Sequence, residues 1–134
     1  MPLRTYLSFS GNCAEALGAY ARILGGIVVH LHPWGEMGPE GFGDKIIHGE
    51  LRVDGAVVFG SDAPPGQFEP ARGTSLSWNT TDAAEAARVF VELAEGGTVV
   101  QPFGAAPWSP GYGMLVDRFG IPWQINVDSA EPAE

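Results

Sequence analysis

His48 and Glu50 stand two residues apart in the segment Ile46-Ile-His-Gly-Glu-Leu-Arg-Val53, and a strand puts residues at that spacing on one face. An imidazole beside a carboxylate can exchange a proton with a bound molecule, or both can donate to one divalent metal. The same pair also serves as polar bracing of a sheet. His30 and His32 repeat the spacing, with Val29 and Leu31 on the opposite face. Should their face be that of His48 and Glu50, three imidazoles and a carboxylate would suit zinc, iron or nickel. The alternative is a solvated histidine pair near a sheet edge. Cys13, the only cysteine, stands at an expected helix start, a position that can lower a thiol pKa. A buried, inert small residue is the competing reading.

These residues depend on the elements that carry them, and the chain repeats itself. Tyr6-Leu-Ser-Phe-Ser10 and Ser75-Leu-Ser-Trp-Asn79 both alternate apolar with polar residues, as half-buried strands do. Asn12 and Asp82 then read as helix N-caps, each with a glutamate three residues on, Glu15 and Glu85, as in a capping box. Ala16, Leu17, Tyr20, Ile23 and Leu24 recur at helical spacing, as do Ala86, Val89, Phe90 and Leu93. Each helix ends at a glycine pair, Gly25-Gly26 or Gly96-Gly97, suited to a left-handed C-terminus. Strand-like sequence follows at 27–31 and 98–101, with long loops at 33–44 and 102–110. Hairpins close both halves, over 46–53 and 56–61 around Asp54-Gly55, and over 113–116 and 121–127 around Asp117-Arg-Phe-Gly120.

The expected fold class is therefore α+β, with two βαβββ modules in one chain forming a curved sheet cup. The first module spans 1–62, a Pro/Gly-rich linker 63–73, the second module 74–128, and a frayed acidic tail 129–134. Alternation puts Leu51, Val53, Ala56 and Val58 toward the first helix and His48, Glu50, Arg52, Val57, Phe59 and Ser61 on the cup face. Opposite one another across the turn stand Val53 and Ala56, Glu50 and Phe59, and His48 and Ser61. In the second module Trp123, Ile125 and Val127 point to the helix, while Gln124 and Asn126 join Ser75 and Ser77 in the cup. Trp34, Trp108 and Tyr112 border it, where aromatics commonly line ligand pockets. Phe9, Trp78 and Trp123 read as packing.

Composition narrows the partners. In 134 residues, 45% are hydrophobic and 17% charged, enough apolar sequence for a core. A net charge of −9 repels phosphate backbones and anionic membranes, so no nucleic acid and no membrane partner is expected. The absence of a signal-like start, of an apolar run of ~18 residues and of any second cysteine leads to an expected cytoplasmic location.

Four stretches resemble one family: Tyr6-Leu-Ser-Phe-Ser-Gly-Asn-Cys-Ala-Glu-Ala16, His48-Gly-Glu-Leu51, Ser61-Asp-Ala-Pro64 and Asp117-Arg-Phe-Gly-Ile-Pro-Trp-Gln-Ile-Asn126. Together with the paired βαβββ pattern, they are similar to the glyoxalase/bleomycin-resistance (vicinal-oxygen-chelate) superfamily and its PhnB-like branch, sometimes named after demethylubiquinone methyltransferase. No strand followed by a glycine-rich loop suits a cofactor such as S-adenosylmethionine. The resemblance implies four metal-donor places, which fall on Thr5, Phe59, Ser75 and Gln124. None is a strong donor, and Phe59 cannot coordinate at all.

The resulting expectation is a homodimeric protein that holds a small organic molecule in the cup, with His48 and Glu50 as catalytic candidates. Phe59, Ser75, Trp108, Tyr112, Gln124 and Asn126 are its ligand-binding candidates. No residue is assigned as a metal ligand and no cofactor is named, although a divalent metal stays open. The alternative is a metal-dependent lyase, isomerase or dioxygenase acting on vicinal-oxygen substrates with His48 and Glu50 at the site.

Overall fold

The computed structural model describes residues 2–129; the expected acidic tail lies, from residue 130 on, outside the described residues. The chain divides into two compact units, Met1–Pro70 and Ala71–Glu134, a division inside the stretch read as a linker. The first unit runs β1 (Thr5–Phe9), α1 (Cys13–Leu24), β2 (Ile27–Pro33), β3 (Ile46–Val53) and β4 (Ala56–Asp62). The second runs β5 (Leu76–Thr80), α2 (Ala83–Ala94), β6 (Thr98–Ala106), β7 (Ser109–Val116) and β8 (Pro122–Val127). Each builds a four-stranded sheet, ordered β1-β4-β3-β2 in one and β5-β8-β7-β6 in the other. The architecture is thus α+β with a duplicated βαβββ topology. Among the described residues, no helix is long and apolar enough to cross a membrane.

Each helix lies on its own sheet through the stripe read from its spacing. Ala16, Leu17, Tyr20 and Ile23 of α1 are buried with Phe9 and Leu51; Ala86, Val89, Phe90 and Leu93 of α2 are buried with Leu115, Trp123, Ile125 and Val127. Burying each large apolar side chain contributes about 1.5–3 kcal/mol. The strand alternation holds: Val53 pairs with Ala56 and Glu50 with Phe59, across a turn in which Asp54 and Gly55 have φ of 45° and 83°, as a two-residue hairpin loop requires.

The glycine pairs have two separate jobs. Gly25 and Gly96 take φ of 76° and 74°, the left-handed region that ends a helix. Gly26 and Gly97 are needed for space: a Cβ on Gly26 would sit 2.5 Å from the Arg52 carbonyl oxygen, and one on Gly97 would run into that of Val116.

Three features differ from the sequence reading. The expected loop at 102–110 is mostly strand: β6 extends to Ala106 and β7 begins at Ser109. Register shifts along the β6–β7 ladder, with Pro102 and Gly104 between apolar residues, erase the alternation by which strands are recognised. The N-terminus of α1 is not capped by Asn12, whose side chain makes no capping bond and whose Oδ1 is buried without a partner among the described residues. Instead the buried Asp62 carboxylate accepts from the backbone N–H groups of Gly11, Cys13 and Ile46, all at 2.9 Å. In α2 the local cap forms as read, with Asp82 Oδ1 accepting from Glu85 N–H at 3.1 Å. Finally, Ala56, assigned to the helix side, is exposed at the edge of the turn.

Asp62→Asn should therefore cost at least ~2 kcal/mol in chemical denaturation, because an amide cannot accept all three N–H groups and one charge-assisted set is lost. In the same assay Gly97→Ala should cost about 2–3 kcal/mol through overpacking against backbone. Gly104→Ala, where a Cβ meets nothing within 4 Å, should be close to neutral.

Candidate functional site

In the first unit α1 packs on β2, β3 and β4, and the alternate strand residues that point away from it are left on the helix-free face. Antiparallel pairing sets His30 against Glu50 and His32 against His48, so all four share that face, as their spacing implied. Tyr6 of β1 pairs with Phe59 of β4 and joins them. The His48 ring lies 4.9 Å from Phe59, 5.5 Å from His30 and 5.7 Å from Tyr6, centroid to centroid.

The polar contacts rearrange the expected acid–base pair. His48 Nδ1 lies 3.2 Å from the Tyr6 hydroxyl, which donates or accepts according to the imidazole tautomer. Glu50 turns to Arg52, whose Nε donates to Oε2 at 2.7 Å, with the Glu50 side chain only 13% exposed. Among the described residues, no hydrogen bond joins His48 to Glu50. The proton partner of His48 is thus a phenol brought in from β1, 42 residues away in sequence. Such a pair can pass a proton to or from a molecule on this face.

In the second unit the free face is a polar chain. Tyr112 O–H donates to Gln124 Oε1 at 2.9 Å, and Gln124 Nε2 donates to Ser75 Oγ at 3.0 Å. Trp108, largely exposed in the turn between β6 and β7, stands edge-on to Tyr112 with centroids 5.0 Å apart. Asn126 pairs with Tyr112 and Asn79; its Nδ2 donates to Asp128 at 2.9 Å, and its buried Oδ1 has no partner among the described residues. The structure therefore groups Ser75, Trp108, Tyr112, Gln124 and Asn126 on one unit, and His48, Glu50 and Phe59 on the other.

Two residues read as chemical candidates are structural. Cys13 is fully buried; burial, and to a smaller extent the Asp62 carboxylate, pushes its thiol up to about 12 rather than down. Trp34 donates its indole N–H to the Asp62 carbonyl oxygen at 3.0 Å and packs against Phe42, so it anchors its loop. Asp117, in the family-like Asp-to-Trp segment, accepts from Phe119 N–H, Ile121 N–H and the Trp123 indole at 2.8–3.0 Å. That motif builds a turn.

Residues 2–126 match the model of the family described as 3-demethylubiquinone-9 3-methyltransferase. The chain belongs to this PhnB-like family. Protein YjdN of Escherichia coli K12 is 34% identical to it over 147 residues, covering 100% of both chains. Protein PA1353 of Pseudomonas aeruginosa superposes with a TM-score of 0.89 at 39% identity, over 96% of this chain and 98% of that one. A PhnB protein of Bacillus cereus does so at 0.83 and 28%, over 94% and 98%. At the level of fold, the PhnB-like chain matches a glyoxalase/bleomycin-resistance/dioxygenase domain from Frankia, TM-score 0.68 and 15% identity, over 96% and 98%. It therefore has the fold seen in the vicinal-oxygen-chelate superfamily.

The donor set does not fit the metal that superfamily implies. Thr5 shares the alternation of Leu7 and Phe9, both buried toward the helix, so the place assigned to it on the free face belongs to Tyr6. The places are then taken by Tyr6 opposite Phe59 in the first sheet and, in the second, by Gln124, which stands opposite Ser77 and hydrogen-bonds to Ser75. Phenylalanine has no donor atom, and both amide atoms of Gln124 are already engaged. Among the described residues no group of three or more His, Cys, Asp or Glu is placed to hold a metal, so His30, His32, His48 and Glu50 share a face without converging.

The thiol gives a direct check. At pH 8 the folded chain should hold on the order of a thousandfold less thiolate than the unfolded chain, so maleimide labelling of native Cys13 should be slow and become fast in denaturant. Because the folded thiol keeps its proton more tightly, its contribution to stability is intact below about 9 and is lost as the pH rises toward about 12. Cys13→Ala should flatten that alkaline loss in denaturation curves recorded between these values.

Proposed function

We propose that this PhnB-like protein binds a small organic molecule on the helix-free faces of its sheets, with His48, Glu50, Phe59, Ser75, Trp108, Tyr112, Gln124 and Asn126 as contact residues. One observation carries the reading: the places where metal-dependent relatives hold donors are occupied by a ring pair and a hydrogen-bonded serine–glutamine pair. Such groups stack on and orient a molecule; they do not polarise it through a cation. The half-buried His48 and Phe59 provide apolar contact, and Tyr112 and Gln124 provide direction.

A second reading, metal-free acid–base catalysis, is supported by the His48–Tyr6 contact. The metal-dependent lyase, isomerase or dioxygenase reading gains no support from these donors. The homodimer belongs to the same proposal. Ile27, Val29 and Leu31 on edge strand β2 and Val99 and Val100 on β6 are exposed, apolar surface that a second chain would bury.

A thermal-shift screen of small organic compounds should return ligands that raise Tm by ~5–10 °C at about a hundredfold excess over Kd. His48→Ala or Gln124→Ala should abolish the shift. Ligands whose shift survives both substitutions would place binding elsewhere and overturn the proposal.

A further inference from the structure

We propose that the helix-free face of the first unit is a stacking platform for a flat aromatic anion; this rests on reading that face as a ligand site and names the class of ligand. Every strand of the sheet contributes a ring: Tyr6 from β1, Phe59 from β4, His48 from β3 and His30 from β2. Tyr6 and Phe59 are 5.9 Å apart between centroids, Phe59 and His48 4.9 Å, and His48 and His30 5.5 Å. The interplanar angles of 51°, 43° and 38° leave the rings tilted rather than stacked on each other, so their faces and edges stay available. His32 extends the row, 6.2 Å from His30. Tyr6 is 54% exposed, so the row is open at that end.

The charge on this face is opposite in sense to that of the chain. The net charge is −9, yet all three histidines lie here, and Arg4 holds its guanidinium 5.9 Å from the Phe59 centroid. Glu50, the one carboxylate on the face among the described residues, is paired with Arg52. A flat ring laid along the row makes aromatic contacts with Phe59, His48 and Tyr6. An attached carboxylate is met by Arg4 and by imidazole N–H groups, which form charge-assisted hydrogen bonds. A saturated ring forgoes the first contribution and a neutral ligand the second. In the second unit Gln124 stands opposite Ser77 and hydrogen-bonds to Ser75 where the first has two rings, so the platform is confined to the first.

Naphthalene-2-carboxylate is the probe, with cyclohexanecarboxylate and 2-naphthylmethanol lacking the aromatic ring and the charge respectively. Each is titrated into the full chain by calorimetry, and the histidine Hε1 proton resonances are followed by NMR. The expected result is binding of the naphthoate ahead of both controls, with His30 and His48 resonances moving on saturation. Phe59→Leu should weaken it about fivefold, and Arg4→Gln should remove the preference for the acid over the alcohol. Arg22→Gln, an equal loss of charge on α1, should leave binding unchanged. Tyr6→Leu, at a more exposed position, repeats the ring test should Phe59→Leu fold poorly. Equal affinity for wild type and both ring variants, or unmoved histidine resonances, would overturn the proposal. So would ring variants that alter the sedimenting mass while naphthoate fails to bind, since the face would then be occupied by a second copy of the chain. Non-aromatic ligands from the thermal-shift screen that are lost in His48→Ala would sink the aromatic class alone; no ligand of any kind would sink the binding reading with it.

Discussion

One buried carboxylate organises the first unit. Asp62 sits at the end of β4 and takes hydrogen bonds from the loop before α1, from the first residue of α1 and from the first residue of β3. A buried carboxylate is tolerated only when its oxygens are satisfied, and here the donors that satisfy it are backbone groups of three separate elements. The helix start, the hairpin and the long loop are held at one point, which Trp34 reinforces through the Asp62 carbonyl and Lys45 through the carbonyl of Gly11. Because α1 is seated this way, its apolar stripe covers one face of the sheet. The histidines, Tyr6 and Phe59 are left on the other.

The two units reach the same topology with different local chemistry. α2 carries its own cap in Asp82, whereas α1 borrows one from a strand 49 residues on in sequence. Where the first unit sets Tyr6 beside Phe59, the second sets Ser75 beside Gln124. A duplicated scaffold thus presents an aromatic, cation-bearing face once and a hydrogen-bonding face once. That difference between the faces lies at positions the helices do not cover, where packing does not dictate the residue. At covered positions the constraint is tight: Gly26 and Gly97 keep the same place because backbone carbonyls lie where a side chain would be.

The family-like stretches divide on the same physical line. Asp117 and Trp123 are joined at 2.9 Å inside a turn, and Asp62 of the Ser61-Asp-Ala-Pro64 stretch is the helix cap. These residues serve the fold itself. The His48-Gly-Glu-Leu51 stretch serves both purposes: Gly49 lets Leu17 and Leu31 approach, with a Cβ there reaching 2.9 and 3.0 Å from them, while His48 and Glu50 on either side face outward.

What the sequence determined by itself was whatever rests on local period. A two-residue alternation assigned His30, His32, His48, Glu50 and Phe59 to one face; helical spacing picked out the buried stripes of α1 and α2; Asp54-Gly55 set the hairpin register. What only the tertiary structure decided was pairing between distant segments. That Tyr6 rather than Glu50 meets His48, that Asp62 rather than Asn12 caps α1, and that Tyr6 rather than Thr5 stands opposite Phe59 all depend on how β1 aligns with β4. That parallel pairing is closed through the helix and the hairpin, with no turn to set its register. β6 escaped recognition for a related reason, since its bulges keep the hydrogen-bonded ladder while destroying the alternation that makes a strand visible in sequence.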